Sequence, residues 1–583
     1  MKISCLLTLL LILTVPTACT GRTEREISSL QGLSFDTFLE TSFQTLLMRR
    51  PELVTELGLD EALGMSGRTL DPWDEKSLAS REKLESEILD LLLQYNPAAL
   101  DERQRISYLI YKDYLEDLVS AQQFRRHAYP LSFMLNSVNI STEQFFTEII
   151  PVKSVEDAEK YIHRLKAVKG KMKEVDRQVE LAEEEGLILP APLIGPTLDS
   201  LRKVSRRKAV DCSFYSAFEA ALKNLSLDAP VEARLLVEAE EACESSVIPG
   251  YRLLEERLEG QLSRAPRQTG VGSLPEGEEY YALSLRHHTN SAMTAEEIHR
   301  KGLEELQGIH GEMRDLFSAL GYEPEESIRA LYRALERDGQ PLSGQAIVEE
   351  HKKLIKAAMN WMEPYFAEFP RSPVEVQADP FGGFYIAPSM DGVRPGIFYA
   401  STGTVGYYTL PTLTFHETCP GHHYQISLAG EKDLPLFRRQ AQFTGYLEGW
   451  ALYAESFMAD TGYYDEDIPG LLGYLQAQAF RAARLVVDTG LHLYGWDIDQ
   501  AVQFFEENTG YDRGFSTNQI YRYLVWPGQA ASYYTGYLEF RDLLDREKRR
   551  LGEGFDYKAF HSALVSGGPM PLYILKKEIF HYD

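Results

Sequence analysis

Residues 416–423 read His-Glu-Thr-Cys-Pro-Gly-His-His and gather three of the chain's thirteen histidines beside Glu417. Imidazole nitrogen binds zinc at ~2.0–2.1 Å, and a catalytic zinc site keeps one coordination position open. Two histidines four residues apart share one helix face, and a glutamate after the first is placed to take a proton from the attacking water. Here the fourth position holds Pro420. On an uninterrupted helix His423 would stand ~10.5 Å along the axis from His416, too far to share one ion well. Pro420 removes a backbone donor and interrupts the helix, and Gly421 admits backbone angles that other residues avoid. A bulge there could return either His422 or His423 to His416. On angle alone His423 is favoured, since seven steps of ~100° come back near the starting face; the bulge could reverse that choice. Cys419, inside the stretch, is a further candidate ligand.

A third protein ligand is expected downstream. The stretch YLEGWALYAES (446–456) carries Glu448 and Glu455 among Leu447, Trp450, Ala451 and Leu452. A carboxylate in such surroundings is costly to bury unless it is paired or bound to metal. Glu448 is the candidate ligand, and Gly449 beside it would let another helix approach closely. Glu455 is the candidate partner that orients a ligand histidine. One zinc ion is the cofactor this set would hold. Further along, Arg484, Asp488 and His492 are spaced by fours and so share a helix face. They form either a polar ladder lining a cleft, with His492 as a donor or substrate contact, or a structural face. Arg394, in the turn DGVRPG, would hold a substrate carboxylate or anchor the turn. His561 and the pair His287-His288 read as structural.

These residues need helices and a small sheet to position them. From about 35 to 370 the pattern is helical. In Val155–Val179 apolar residues recur at 155, 158, 162, 165, 168, 172, 175 and 179, one stripe, with Ser154 as the cap and a stop at Gly186. A second long helix opens at Thr294. Between 373 and 410 the chain turns rich in Gly, Pro and aromatic residues, with short apolar runs at 384–387, 396–400 and 405–410, which predict a small β region. Helical patterning resumes after Pro411, a residue tolerated in a first turn. The expected divisions are a signal peptide over 1–18, a polar tether over 19–34, an N-terminal helical region over 35–290 and a catalytic region over 291–583.

The apolar run Cys5–Val15 follows Lys2 and is about half the ~20 residues of a membrane span, so it reads as a signal peptide. The ending PTAC resembles a bacterial lipid-attachment site with Cys19 as the modified residue, although Pro16 replaces the usual aliphatic residue. The chain is therefore expected to be exported, periplasmic and lipid-anchored, touching a membrane only through Cys19. A formal net charge of −27 over 583 residues argues against a nucleic-acid partner, which needs a basic surface. Cys212 and Cys243 could pair, and spacing does not decide it.

The ordered blocks SMDGVRPGIFYAST, HETCPGHHYQ, EGWALYAE, RAARLVVDTGLHLYGW, WPGQAASYYTG and FHSALVSGGPMPL resemble those of the domain-of-unknown-function 885 family. Its bacterial, often exported members are placed among gluzincin-type zinc peptidases. The resemblance implies a mainly helical, zincin-type peptidase with a small sheet beside the metal-binding helix and a deep cleft between helical halves. It aligns His416, Glu417, Pro420, Gly421, His422 and His423 with an HExxPGHH signature, and Glu448 through Glu455 with its second block. Thr418-Cys419 stand where small or apolar residues are more usual. Related helical zinc peptidases use a tyrosine late in the chain as oxyanion donor, and among Tyr523, Tyr533 and Tyr534 the first choice is Tyr533. The expected reaction is zinc-dependent hydrolysis of a peptide, with Glu417 as the base and Tyr533, with His492, stabilising the oxyanion. The alternatives are an amidase or esterase acting on a cell-wall or small-molecule amide, and an exported binding protein without catalysis.

Overall fold

The computed structural model describes residues 18–582 apart from 135, 324 and 381, with side chains from residue 21 onward. Among the described residues the chain is mainly helical, as expected, with its strands confined to short segments between 341 and 406. The predicted signal peptide lies outside the described residues except for Ala18, and the side chain of Cys19 lies outside them as well. Residues 19–34 depart from the expected tether. Helix α1, Ala18–Leu30, buries Thr23, Ile27 and Leu30 on one face, and its Thr23 hydroxyl meets Ser80 at 2.6 Å. Three small or apolar residues at helical spacing give it a buried stripe that its polar composition conceals.

The long periodic stretch is the helix Val155–Glu184, which buries Ala158, Ile162, Leu165, Val168, Met172, Val175 and Val179. Ser154 accepts from the Asp157 N–H, and Gly186 follows the end at φ +81°. Helix α2, Ala295–Ala319, opens on a reciprocal cap between Thr294 and Glu297. One apolar core runs from Ile27 to Leu575, so the regions expected on either side of position 290 share their interior. The Val271 N–H donates to His492 Nδ1 and the Tyr281 hydroxyl donates to Asp488, which knit the two parts together.

The small sheet forms where the Gly-, Pro- and aromatic-rich segment predicted it. Strands β1 (Pro341–Leu342) and β5 (Val405–Gly406) make an antiparallel pair. A second sheet has β4 (Gly396–Ser401) between β2 (Val374–Asp379), which is parallel to it, and β3 (Phe384–Ile386), which is antiparallel. Its registers put Val376 beside Phe398 and Ile386 beside Ile397. Val376, Phe398 and Ala400 pack with Ile347, Val348, Leu354 and Ile355 of the helix Gln345–Met362 and with Leu410, a second small core. Leu410 opens helix α3, Leu410–Glu417, so this core fixes the sheet against the helix that carries His416.

Four further helices complete the frame: α4 (His422–Gly430), α5 (Thr444–Asp460), α6 (Ile468–His492) and α7 (Gln529–Leu551). Gly449 and Gly536 meet where α5 crosses α7. A Cβ on Gly449 would lie 2.4 Å from the Gly536 carbonyl carbon, and one on Gly536 would lie 1.9 Å from the Gly445 oxygen. The close approach expected at Gly449 is thus made by α7. Among the described residues no helix is long and apolar enough to cross a membrane.

Candidate metal centre

Pro411 stands in the first turn of α3, where its missing N–H costs nothing. His416 and Glu417 end that helix. The chain leaves it at Thr418 (φ −118°, ψ −107°), passes a cis Cys419–Pro420 bond, and re-enters helix at His422. The break is tight. A Cβ at position 421 would lie 2.0 Å from the His416 oxygen and 2.3 Å from that of Phe415, so only glycine lets the chain fold back onto its own last turn. Trp450 of α5 pins the break, its indole N–H 2.9 Å from the Pro420 oxygen. The result brings the rings of His416 and His422 to 4.8 Å between centroids, 81° apart in plane.

Glu448 of α5 completes the cluster. Its Oε2 lies 3.4 Å from His416 Nε2 and 3.3 Å from His422 Nε2, and it is buried without a hydrogen-bond partner of suitable geometry. All three candidate ligand atoms lie within 4.8 Å of one another. Corners ~2.0–2.1 Å from the centre of a tetrahedron are ~3.3–3.4 Å apart, a spacing that both edges from Glu448 match, and two imidazoles with this orphaned carboxylate oxygen are a donor set that suits one zinc ion. His416 Nδ1–H donates to Glu455 at 2.8 Å, leaving Nε2 turned toward Glu448. Glu455 also accepts from the Thr412 hydroxyl and lies 3.7 Å from Arg481.

The electrostatics follow from burial and these pairings. Burial alone would raise the Glu448 carboxyl, but the imidazoles of His422 and His416 hold it well below the usual range. Burial works against a charged His416, yet Glu448 and Glu455 raise it to about 10. A bound cation would replace that proton. Burial also opposes ionisation of Glu455, and Arg481 with His416 keeps it an anion. The Glu417 carboxyl is raised by burial.

His423 does not join the cluster, which corrects the choice made on helical angle. The break between 417 and 422 resets the helical phase, so seven steps of a continuous helix no longer apply. His423 instead meets the Ser372 oxygen through Nε2 at 3.0 Å and the Tyr385 hydroxyl through Nδ1 at 2.9 Å. It ties α4 to strand β3, and burial lowers its pKa to about 4. Cys419 is buried in the break and outside the cluster, its thiol raised to about 12 by burial.

Tyr533 of α7 lies beside the centre, its ring parallel to His416 within 10° at 6.2 Å. Arg522 and Gln529 donate to its hydroxyl oxygen at 3.3 and 3.4 Å, which leaves the hydroxyl hydrogen for another acceptor. His492 is corrected to a structural residue. Its Nδ1 accepts from the Val271 N–H and its Nε2 reaches the Tyr523 oxygen, both at 3.1 Å, so no donor remains. Arg394 anchors its turn, donating to the backbone oxygens of Glu56 and Ala387 at 3.3 Å. Arg484 stands over the Tyr533 ring at 4.3 Å, while Asp488 accepts from Tyr281 and the Gly528 N–H, so the ladder of three resolves into separate contacts. His561 is structural, as expected: it bonds Tyr453 and the Tyr365 oxygen. His287 reaches Asp117, and the half-buried His288 ring meets the His287 ring edge-on at 4.6 Å. Cys212 and Cys243 are both buried and free. Sequence reasoning missed Arg481, Arg522 and Gln529. Arg481, three residues before Arg484 in an apolar helix, carried the same signal of a buried charge.

Comparison with known proteins supports this architecture. A crystal structure of a predicted lipoprotein from Colwellia psychrerythraea is 25% identical and superposes with a TM-score of 0.88 over 96% of this chain and 99% of the other. A predicted lipoprotein of unknown function from Shewanella oneidensis, 18% identical, shares the fold, with a TM-score of 0.73 over 94% of this chain and 100% of the other. No curated protein matches the chain. The family model for bacterial proteins of unknown function named DUF885 matches residues 51–579, nearly the whole described length. The chain belongs to the DUF885 family.

Proposed function

We propose that this protein is an exported zinc-dependent peptidase of helical, zincin-type fold, with the metal centre in a cleft between its helical halves. The observation that carries the reading is the convergence of His416, His422 and Glu448 on one point, with Glu417 alongside and Glu455 fixing the His416 tautomer. His416, His422 and Glu448 would hold the ion. When bound, zinc supplies a Lewis acid that polarises a carbonyl and acidifies water. Glu417, its carboxyl raised by burial, takes a proton from the attacking water and passes it to the leaving amine. Tyr533 offers its free hydroxyl hydrogen to the oxygen on which charge develops. The lipoprotein description of the Colwellia relative supports export and a lipid anchor at Cys19.

The test is Glu417→Gln. The variant is expected to bind one zinc per chain as the parent does and to lose roughly 100-fold or more in the rate of peptide hydrolysis. Undiminished hydrolysis at full zinc occupancy would remove Glu417 from the reaction. A parent that binds no zinc after reconstitution would remove the metal.

A further inference from the structure

Next to the metal centre, two arginines stand without an acidic partner. Arg484 is 4% exposed, its guanidinium held between the rings of Phe480 (4.1 Å) and Tyr533 (4.3 Å). Its Nε donates to the Tyr523 hydroxyl at 3.0 Å and Nη2 reaches Gln519 at 3.5 Å, but Nη1 is buried and bonds nothing. Arg522 is half-buried. Its Nη2 donates to Gln529 Oε1 at 2.9 Å and to the Tyr533 hydroxyl, and its Nε is buried and unpaired. Among the described residues neither guanidinium forms a salt bridge; its acceptors are hydroxyls and amide oxygens. Asp488, one turn along α6 from Arg484, is taken by Tyr281 and the Gly528 N–H, and Arg481 already faces Glu455. Two cations with donors to spare around one tyrosine make a site that lacks an anion, because a buried charge is normally paired.

We propose that Arg484 and Arg522 receive the free carboxylate at the C-terminal end of a peptide, making this protein an exopeptidase that removes one or two residues from that end. The inference rests on the zinc-peptidase reading. Tyr533 sets the scale: its ring lies 6.2 Å from that of His416 and 4.3 Å from the Arg484 guanidinium carbon, so those two groups are no further apart than the sum of the two distances. Extended peptide covers ~3.3–3.6 Å per residue, and the metal at one end and the carboxylate–guanidinium contact at the other each take up part of that span, which leaves room for one or two residues between a carbonyl at the metal centre and a carboxylate at the arginines. Arginine's planar fork suits a carboxylate, which it binds through paired N–H donors. In the reaction the peptide C–N bond breaks, water gives its oxygen to the acyl carbon and a proton to the leaving nitrogen, and a free amino acid or dipeptide departs. Arg394, bound to backbone oxygens at the turn, leaves the carboxylate role to this pair.

Binding and cleavage test the proposal separately. Zinc-loaded Glu417→Gln protein is titrated with N-acetyl-trialanine and with its C-terminal amide. The acid is expected to bind roughly tenfold or more tightly, as hydrogen bonds to charged groups warrant, and Arg522→Gln in the same background is expected to shrink that preference toward unity. Arg522 is the residue to change because it is the less buried of the two. Equal affinity for acid and amide, or binding of neither, overturns the carboxylate site. With the parent enzyme and free-acid peptides, mass spectrometry should find single residues or dipeptides released from the C-terminal end, and amidated peptides cut about tenfold or more slowly. Internal cleavage indifferent to amidation overturns the exopeptidase assignment. If no peptide is cleaved while the acid preference persists, the carboxylate site stands and the peptidase reading falls.

Discussion

Replacing Gly421 with alanine tests whether the fold-back at the helix break is what builds the proposed metal centre. The added Cβ would sit 2.0 Å from the His416 oxygen and 2.3 Å from the Phe415 oxygen, both backbone atoms. Relief therefore requires moving the chain rather than turning a side chain, by ~1 Å, where a functional constellation tolerates ~0.5 Å. The atoms that must separate belong to the last turn of α3 and the first residue before α4, the two segments that carry His416 and His422. Overpacking of this kind costs ~1–3 kcal/mol. The larger effect should fall on zinc affinity, because moving His422 displaces one of the three proposed ligands, and a misplacement of ~1 Å can lower activity ~100-fold. Zinc at 100 times its dissociation constant stabilises a native state by ~2.7 kcal/mol, so melting temperature with and without zinc reads both terms together. The metal-free variant should melt slightly below the parent and gain much less from zinc. A variant that gains as much from zinc as the parent would show that the close approach at Gly421 does not set the position of His422.

Three further outcomes follow. Glu455→Gln should weaken zinc roughly 10- to 100-fold in a chelator competition, because His416 loses the carboxylate that accepts its Nδ1–H; unchanged affinity would make Glu455 a bystander. His423→Asn should keep one zinc per chain while losing ~1–3 kcal/mol of stability, since His423 joins α4 to Ser372 and Tyr385; loss of zinc would return His423 to the ligand set. Burial pushes the His561 pKa down to about 3, whereas in the unfolded chain it lies near ~6.5. Between those values the unfolded chain holds a proton that the native state refuses, so stability falls as pH drops, by up to ~1.4 kcal/mol per unit from this group. Denaturant unfolding at pH 7 and pH 5 should show the parent losing more than His561→Gln, and equal losses would refute the assignment.

The sequence was most legible where one element decides the answer. The stripe of Val155–Val179, the cap at Thr294, the small sheet and Glu455 behind His416 all rest on local spacing or on the cost of a buried charge, and the structure places them accordingly. His422 against His423 could not be decided, because the break resets the helical phase that the angular argument relied on. His492 was misread because its partners, Val271 and Tyr523, come from distant segments that quench both ring nitrogens. Arg394 was left between two roles for the same reason, its acceptors being backbone oxygens that composition cannot reveal. The tether became α1 because a small buried stripe suffices when a neighbouring helix receives it.

The crossing of α5 and α7 carries a consequence for how this centre holds its shape. Glu448 and Glu455 ride on one helix and Tyr533 on the other, and where the helices cross, main chain meets main chain at Gly449 and Gly536 with nothing in between. Side chains elsewhere in the interior can grow, shrink or exchange volume, and the layers they separate will drift accordingly. At this crossing there is no such spacer to adjust. The crossing works as a pivot without play: repacking around it can tilt one helix against the other but cannot change their separation. The distance from Glu448 to Tyr533 is thereby insulated from most of the variation that the rest of the core can absorb.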